Sequence, residues 1–400
     1  MKRIHSFFLI LPFFITLFSG CWDWVELNDI TIVSGISLDE AKEPDKIRLT
    51  AQVIRPAALG GEGDTGGTAG GEGGGGGGAE AQAARILTTT GETVFQAIRD
   101  LSTQASHKLF LSHTHVVVIS REAAEKGIYR FIDFFARDPE PRPNIRLLIS
   151  EGEAGEIMRH PSGVESIPAL GLYSATKTAA LNALSPDVTM QDASMRLASE
   201  TTELIAPLTK LYQEKGTDGE KKTRVDVAGT AVFRGDKMVG TLNQKETRGL
   251  HWILDEVKTG IIVIEHAGSK QSLEITKSQT KLTPEIRDNK LVVKISIDVN
   301  TNLGDQQCGK NLINPAEIVL MEEKQTAEIR AEITGAVKKA LELKADIFGF
   351  GDEFRRKYPE QWEKLEQRWL EIFPGIKIEL EIKSRIKATG EIREPLYQPR

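Results

Sequence analysis

The chain has 400 residues, of which 51 are Lys or Arg and 57 are Asp or Glu, so its formal net charge at pH 7 is −6. An acidic balance of this kind disfavours nucleic acid as a partner, because the phosphate backbone attracts basic surfaces. A chain of this length exceeds what one hydrophobic core usually serves, and we therefore expect two or three domains.

The first twenty residues have the layout of a signal peptide. Lys2 and Arg3 form a positive start, and a mainly apolar run follows at 7–18. That run is shorter than the roughly twenty residues that a membrane-spanning helix needs. We therefore expect the segment 1–20 to be removed as a signal peptide.

Ser19 and Gly20 precede Cys21 in the order of a bacterial lipobox. In that motif the cysteine thiol receives a diacylglyceryl group and becomes the N-terminus of the mature chain, so Cys21 is the predicted lipid attachment site. Phe18 departs from the leucine that is usual at its position, and an ordinary secretory cleavage site before a buried cysteine is the alternative. Without the two basic residues of the signal peptide, the mature chain has 49 basic and 57 acidic groups and a net charge of −8.

The predicted lipid at Cys21 also bears on the second cysteine and on the two tryptophans that follow Cys21. Cys308 has no partner in the mature chain once Cys21 is acylated, and we interpret it as an incidental free thiol. Trp22 and Trp24 directly follow the predicted lipid. One hypothesis places their rings at the headgroup level of the bilayer, and the equal alternative packs them into the first domain.

Residues 21–150 are predicted to form an N-terminal α/β domain, because strand-like and helix-like segments alternate there. The stretch 60–80 contains 13 of the 36 glycines and is expected to be a flexible loop. The strands are predicted at 30–39, 46–55, 85–91, 113–120 and 144–150, and the helices from Glu92 onward and at 121–137.

Residues 151–223 form a second predicted domain, which is mostly helical. The segment 187–200 is predicted to be an amphipathic helix with Asp187 as its N-cap and with Met195 near the apolar face. A polar stretch at 216–224 is predicted to be an exposed loop or the boundary with the third domain.

Residues 224–400 have the clearest pattern. Apolar residues alternate at 291–299 and 376–382, which predicts half-buried antiparallel strands with polar outer faces. The RGD sequence at 234–236 is interpreted as a hairpin turn, because Gly and Asp favour turns.

Two helices are predicted to pack on that sheet. A long one covers about 315–344, and a shorter one carries Trp362 and Trp369 as core anchors. The expected fold class is therefore α+β and multi-domain, with an α/β-type N-terminal domain, a helical middle region, and a C-terminal antiparallel sheet packed by a long helix and a Trp-bearing helix.

No group of residues predicts catalysis. His113 and His115 have the spacing that places them on one face of a strand and His107 lies nearby, but no further ligand follows at a zinc-binding spacing. We interpret them as partly buried histidines and expect no metal, no other cofactor and no enzymatic activity. No GxSxG, HExxH, Walker or dinucleotide pattern occurs in its required context.

Three stretches of the chain resemble the Ger(x)C family, the lipoprotein C subunits of GerA-type spore germinant receptors. They are CWDWVELND after the lipobox, GTAVFRGDKMVGTLNQKETRGLHW at 229–252, and ADIFGFGDEFRRKYPEQWEKLEQRWLEIFPG at 345–375. The resemblance covers nearly the whole mature chain apart from the glycine-rich stretch. DIFGFG followed by a proline and two tryptophans is its most specific motif.

The resemblance implies a three-domain α+β ectodomain without known catalysis, held by a lipid on the outer face of the inner spore membrane. Its implied partners are an integral, polytopic A subunit and an integral, transporter-like B subunit, and the nutrient germinant is expected to bind mainly to the B subunit. The sequence leaves open whether DIFGFG is a contact loop or a helix end built around Gly349 and Gly351.

Two other functions stay open at this point. A solute-binding lipoprotein of a transporter requires a two-lobed, doubly wound pattern. A lipid-anchored envelope hydrolase requires His113, His115 and an acid to converge on a metal in a pocket.

Overall fold

A computed structural model of the chain describes residues 30–54, 84–105, 107–160, 165–215 and 221–388. Its framework consists of two β-sheets with helices packed against them. The predicted signal peptide, Cys21 and the glycine-rich stretch at 60–80 lie outside the described residues.

The larger sheet has nine strands, and its centre is parallel. The strands are β1 (Ile30–Glu40), β2 (Ile47–Ile54), β3 (Ala84–Gly91), β4 (Lys108–Phe110), β5 (Val116–Ser120), β6 (Arg146–Ser150), β7 (Ile205–Lys215), β8 (Lys221–Arg234) and β9 (Lys237–Leu242). Their order is β3-β2-β1-β5-β6-β7-β8-β9, with β4 also paired to β1. β1, β5, β6 and β7 are parallel, and the outer pairs on both sides are antiparallel. Every side chain of β5 is buried, as expected for a parallel strand between two layers.

Six helices among the described residues accompany this sheet. They are α1 (Val94–Ala105), α2 (Arg121–Lys126), α3 (Tyr129–Arg137), α4 (Ala154–Ile157), α5 (Pro168–Leu181) and α6 (Met190–Leu197). The alternation of strands and helices up to β6 confirms the predicted α/β character of the N-terminal part.

The helix predicted at 121–137 is divided in two, so its predicted continuity was wrong. Gly127 between α2 and α3 has a φ of +141°, which is incompatible with a helix. The N–H of Ile128 donates instead to the carbonyl of Asp236, 2.8 Å away in the turn between β8 and β9. A contact with a distant turn thus replaces one hydrogen bond of a continuous helix.

The N-cap predicted for α6 was also wrong. Thr189 caps this helix, because its hydroxyl accepts from the N–H of Asp192 and the Asp192 carboxylate accepts from the N–H of Thr189. Asp187 instead pairs with Arg146 at the start of β6, with Nε and Oδ1 2.6 Å apart. Met195 is exposed rather than part of the apolar face.

The predicted middle region contains helices α4, α5 and α6, but its last part is strand β7. β8 then runs across the predicted boundary at 223/224, and the large sheet therefore continues through it. The division into domains at 150/151 and 223/224 stays a prediction. Of two clusters of buried apolar side chains in the described residues, the larger extends from β1 to Ile376.

The smaller sheet contains four strands and carries the long helix. Its elements, together with the helices that precede and follow them, are α7 (Gln244–Ile253), β10 (Ile261–His266), β11 (Ser269–Arg287), β12 (Lys290–Gln306), α8 (Pro315–Leu343), α9 (Phe350–Lys357), α10 (Pro359–Leu365), α11 (Trp369–Ile372) and β13 (Lys377–Ala388). Alternate side chains of β12 are buried beneath α8, which confirms the predicted strand and the predicted long helix. The hairpin turn at 234–236 is confirmed between β8 and β9.

The smaller sheet departs from the prediction in one pair, because β13 runs parallel to β12. A parallel neighbour requires a long crossover connection, and helices α8 to α11 provide it. Trp362 and Trp369 are buried with their ring centroids 5.1 Å apart, which confirms them as core anchors. Within the described part of the chain, no helix combines the length and the apolar content that crossing a bilayer requires.

Candidate functional site

Cys21, the predicted lipid attachment site, lies outside the described residues, as do Trp22 and Trp24. Their assigned roles therefore stay predictions. Cys308 is a partly buried free thiol whose Sγ lies 3.8 Å from Nε2 of Gln271.

The histidines considered as metal ligands lie in and near the loop before β5. His113 is exposed beside Phe110, and the ring centroid of His115 is 5.2 Å from that of Tyr173. Burial lowers the pKa of His115, and the neighbouring His113 acts in the same direction. His107 is exposed, and across the described ranges no three His, Cys, Asp or Glu side chains form a group suited to a metal ion.

The most specific motif forms a buried loop that we call the junction loop (residues 345–351), which leads from α8 into α9. Asp346 is its centre and is 1% exposed. Its carboxylate accepts hydrogen bonds from the N–H groups of Phe348, Phe350 and Gly351 at 3.2, 3.1 and 2.8 Å, and from Nε1 of Trp369 at 3.2 Å. One side chain therefore determines the course of the loop and holds the Trp-bearing segment against it.

The two glycines of the junction loop have different roles. Gly349 is the N-cap of α9 and has a φ of +74°, a conformation that favours glycine. Gly351 leaves no room for a side chain, because a Cβ would lie 2.8 Å from Cβ of Thr201 and 3.0 Å from the Trp369 ring. The interpretation as a helix end was wrong, because α8 ends at Leu343 ahead of the motif. The motif instead begins α9 and contacts the segment 201–203 of the same chain.

The junction loop binds the segment between α6 and β7. The N–H of Glu203 donates to the carbonyl of Asp346 at 2.9 Å, and the hydroxyl of Thr202 donates to the Asp352 carboxylate at 2.6 Å. Nη1 of Arg196, on α6, donates to the carbonyl of Glu203 at 2.9 Å. These bonds connect the large sheet with the helices that surround the small sheet.

Two carboxyl groups at this junction have raised pKa values. Burial raises the pKa of Asp346 to about 6, although its N–H donors act in the opposite direction. Burial also raises the pKa of Glu203, whose Oε2 accepts from the N–H of Gly235 at 2.7 Å. The free energy of unfolding therefore depends on pH through both groups.

A second close contact joins α7 with α8. It involves RGLHW, the end of the stretch 229–252 that resembles the Ger(x)C family. The guanidinium of Arg248 pairs with the carboxylate of Glu332, which also accepts from Nε1 of Trp252 at 2.9 Å. A Cβ on Gly249 would lie 2.1 Å from the carbonyl oxygen of Glu332. The two helices therefore meet backbone to backbone at this glycine.

An open cleft of about 430 Å³ lies beside the junction, between α5, α6, β7 and the chain that follows α7. Arg196 lines this cleft and also a second one of about 460 Å³, which reaches Asp352 and Arg355 on α9. His251 borders the first cleft, and its Nδ1 lies 2.7 Å from Oε2 of Glu256. Both clefts therefore bring charged side chains next to the residues that hold the junction loop in place.

The fold is that of a mixed α+β protein with several structural units. A protein-family model described as "Spore germination protein N-terminal domain" matches residues 23–211. A second family model, described as "Spore germination B3/ GerAC like, C-terminal", matches residues 228–390. The chain therefore belongs to the GerAC-like, or Ger(x)C, family of spore germination proteins. The resemblance inferred from the sequence motifs is confirmed.

Individual relatives cover nearly the whole chain. Spore germination protein KC of Bacillus subtilis (strain 168) is 28% identical over 395 residues, which cover 94% of each chain. Spore germination protein B3 of the same organism is 23% identical over 396 residues, with 98% of this chain and 99% of the relative covered. The crystal structure of the GerBC protein aligns with a TM-score of 0.56 and 19% identity, covering 88% of this chain and 97% of that one, and it shows the shared fold.

Sequence reasoning missed the residues that receive the junction loop. Thr201, Thr202 and Glu203 belong to a polar stretch with no periodic pattern, and nothing in their order indicates a partner more than a hundred residues away. The available signal was in the loop itself, where two glycines and an aspartate occur within a run of apolar residues.

Proposed function

We propose that this chain is a lipid-anchored subunit of a nutrient germinant receptor and acts as a scaffold or signalling partner of integral subunits. Its place in a family of spore germination proteins supports the role in germination. The position of Cys21 in a lipobox directly ahead of the folded body is the observation that supports the anchor most strongly. The protein would then act on the outer face of the inner spore membrane.

The length of the tether sets how close the body lies to the membrane. Eight residues separate Cys21 from Ile30, where β1 begins, and the nine steps from one Cα to the other span at most roughly 30 Å in an extended chain. Confinement within such a distance raises the effective concentration of the body near integral proteins, so modest contacts suffice for assembly. The partners in this proposal are the polytopic A subunit and the transporter-like B subunit, and the germinant binds mainly to B.

The junction loop supports a mechanical role. Asp346 and Gly351 fix the helices around the small sheet to the segment that enters β7, and both residues are buried. In this proposal the two parts move together when a partner contacts either one. Such rigidity suits a scaffold that transmits a change between integral subunits.

Replacing Cys21 by alanine is expected to release the protein from spore membranes and to abolish nutrient-triggered germination through this receptor. The physical reason is that two acyl chains, at about 0.8 kcal/mol per buried methylene, supply the membrane affinity. Membrane fractionation, mass spectrometry of the N-terminal peptide and germination assays are the measurements.

Cys308→Ala is the matched control, because it removes the chain's other thiol. It is expected to leave membrane retention, acylation and germination unchanged. A Cys21→Ala protein that stays in the membrane and supports germination at the normal rate would contradict the proposed anchor.

A further inference from the structure

In the first cleft beside the junction, one positively charged side chain lacks the side-chain partner that each of the other charged side chains has. Six ionic residues line the cleft, namely Lys177, Asp187, Asp192, Arg196, Glu256 and Lys258. Their formal charges sum to zero, so the total does not identify a ligand. What distinguishes them is whether each one has a partner.

The three acids of the cleft all have partners. Asp187 pairs with Nε and Nη2 of Arg146 at 2.6 and 2.9 Å. Asp192 accepts from the hydroxyl of Thr189 at 2.6 Å and from its N–H, and Glu256 lies 2.7 Å from Nδ1 of His251. Each carboxylate of the cleft thus has at least one hydrogen-bond or ion-pair partner among the described residues.

Two of the three cations also have partners. Nζ of Lys177 lies 5.4 Å from the ring centroid of Tyr173, within the range of a cation–π contact. Nζ of Lys258 lies 3.5 Å from a carboxylate oxygen of Asp255. Both side chains also reach solvent, so burial penalises neither charge strongly.

Arg196 differs from both lysines. It donates one hydrogen bond, to the carbonyl of Glu203, and forms no ion pair with any carboxylate of the described residues. Burial lowers the pKa of Arg196, although the more distant charges of Glu256, Asp192, Asp346 and Asp352 act in the opposite direction. A partly desolvated guanidinium with unused donors that borders a cleft is suited to bind an anion.

We propose that this cleft binds a small monocarboxylate, whose carboxylate is held by the guanidinium of Arg196 and whose apolar part lies along Leu181, Val188 and Ile205. A volume of about 430 Å³ suits a small molecule, and these three side chains form the apolar part of the lining together with Ala180 and Pro186. The fork of donors on a guanidinium matches both oxygens of a carboxylate. The three acids nearby favour a single negative charge over a doubly charged anion such as phosphate, because like charges repel.

The location connects the site with the junction loop. The side chain that would hold the ligand also donates to Glu203, whose N–H donates to Asp346 of the junction loop. A ligand held by Arg196 would therefore contact the same side chain that joins α6 to the junction. The inference goes beyond the proposed function and does not depend on the lipid anchor.

Saturation-transfer NMR on the full-length chain in detergent solution tests the site with isovalerate as the probe. Isovaleramide, which has nearly the same shape but no charge, serves as the matched ligand. We expect transfer to isovalerate and not to isovaleramide. Arg196→Gln is expected to weaken isovalerate binding by at least about tenfold, because a charge-assisted pair is lost. Lys177→Gln is expected to change it less than about threefold, because an exposed charge contributes little.

Circular dichroism shows whether each variant folds. If Arg196→Gln does not fold, Arg196→Lys decides, because it keeps the charge but loses the fork of donors and is expected to weaken binding. Unaltered binding in whichever Arg196 variant folds overturns the proposal, and so does equal transfer to isovaleramide or no transfer to isovalerate in the native chain. Displacement of isovalerate by an equal concentration of inorganic phosphate would overturn the assignment of a monocarboxylate.

Discussion

Replacing Asp346 by alanine is expected to lower the free energy of unfolding by about 3 kcal/mol at pH 7. The N–H groups of Phe348, Phe350 and Gly351 and the indole N–H of Trp369 lose their acceptor but stay buried. Each buried donor without an acceptor costs about 1 to 3 kcal/mol, and removal of a buried negative charge offsets part of the sum. Urea unfolding followed by tryptophan fluorescence measures the difference.

Two further substitutions test whether the loss of stability comes from the buried carboxylate. Asp346→Asn keeps one oxygen acceptor and is expected to cost less than alanine. Asp298→Ala removes an exposed carboxylate from the outer face of β12 and is expected to change stability by less than about 0.5 kcal/mol. An Asp346→Ala protein as stable as the native chain would show that the junction loop does not depend on this side chain.

The contribution of Asp346 to stability is expected to fall as the pH rises from about 4 to about 6. Burial raises the pKa of this carboxyl from 3.8 to about 6, so in this range the folded chain holds a proton that the unfolded chain has released. The part of the contribution that depends on protonation is therefore fully present below pH 4 and is lost by the time the pH passes about 6, whereas the hydrogen bonds to the carboxylate remain at pH 7. Asp346→Asn does not titrate at this position, and the stability advantage of the native chain over it should shrink across this window. An advantage that is independent of pH would contradict the raised pKa.

Replacing Gly249 by alanine is expected to lower the free energy of unfolding by more than about 3 kcal/mol. The new Cβ would lie 2.1 Å from the carbonyl oxygen and 2.6 Å from the carbonyl carbon of Glu332, and backbone cannot rotate away as a side chain does. Helices α7 and α8 must separate, which weakens the bonds from Arg248 and Trp252 to the Glu332 carboxylate. Thermal unfolding by circular dichroism measures the loss.

Gly335→Ala is the matched control for this substitution. Gly335 lies in the same helix pair, on α8, but its nearest neighbour would be Cγ of Glu246 at 3.5 Å, an ordinary contact. Alanine is the better helix former, and this variant is expected to gain about 0.5 to 1 kcal/mol. Equal stability losses at Gly249 and Gly335 would show that close approach of the helices is not the cause.

Much of the C-terminal part could be predicted from sequence because its periodic patterns are strong. Alternation at 291–299 specified β12, and the four-residue recurrence of Ile329, Ile333 and Val337 specified the buried face of α8. The tryptophans at 362 and 369 were predicted as core anchors from their two-turn separation. These features depend on local order alone, which a single sequence contains.

The features that sequence reasoning missed depend on contacts between distant residues. Gly127 stands within a helical pattern that tolerates one glycine, and only the contact of Ile128 with Asp236 makes it a break. The parallel direction of β13 follows from the path of four helices, and alternation within a strand does not reveal it. The partners of the junction loop at 201–203 have no pattern of their own. The candidate site was therefore only half predictable: its loop was recognisable, but the surface that receives the loop was not.

Affinity isolation of the full-length chain from detergent-solubilised spore membranes tests the central claim most directly. The account predicts that both integral receptor subunits co-elute with the native chain and with Cys308→Ala, and that their recovery falls sharply with Cys21→Ala. Native chain that is acylated and abundant in the membrane but elutes without any polytopic subunit would contradict the claim that it serves as a receptor partner.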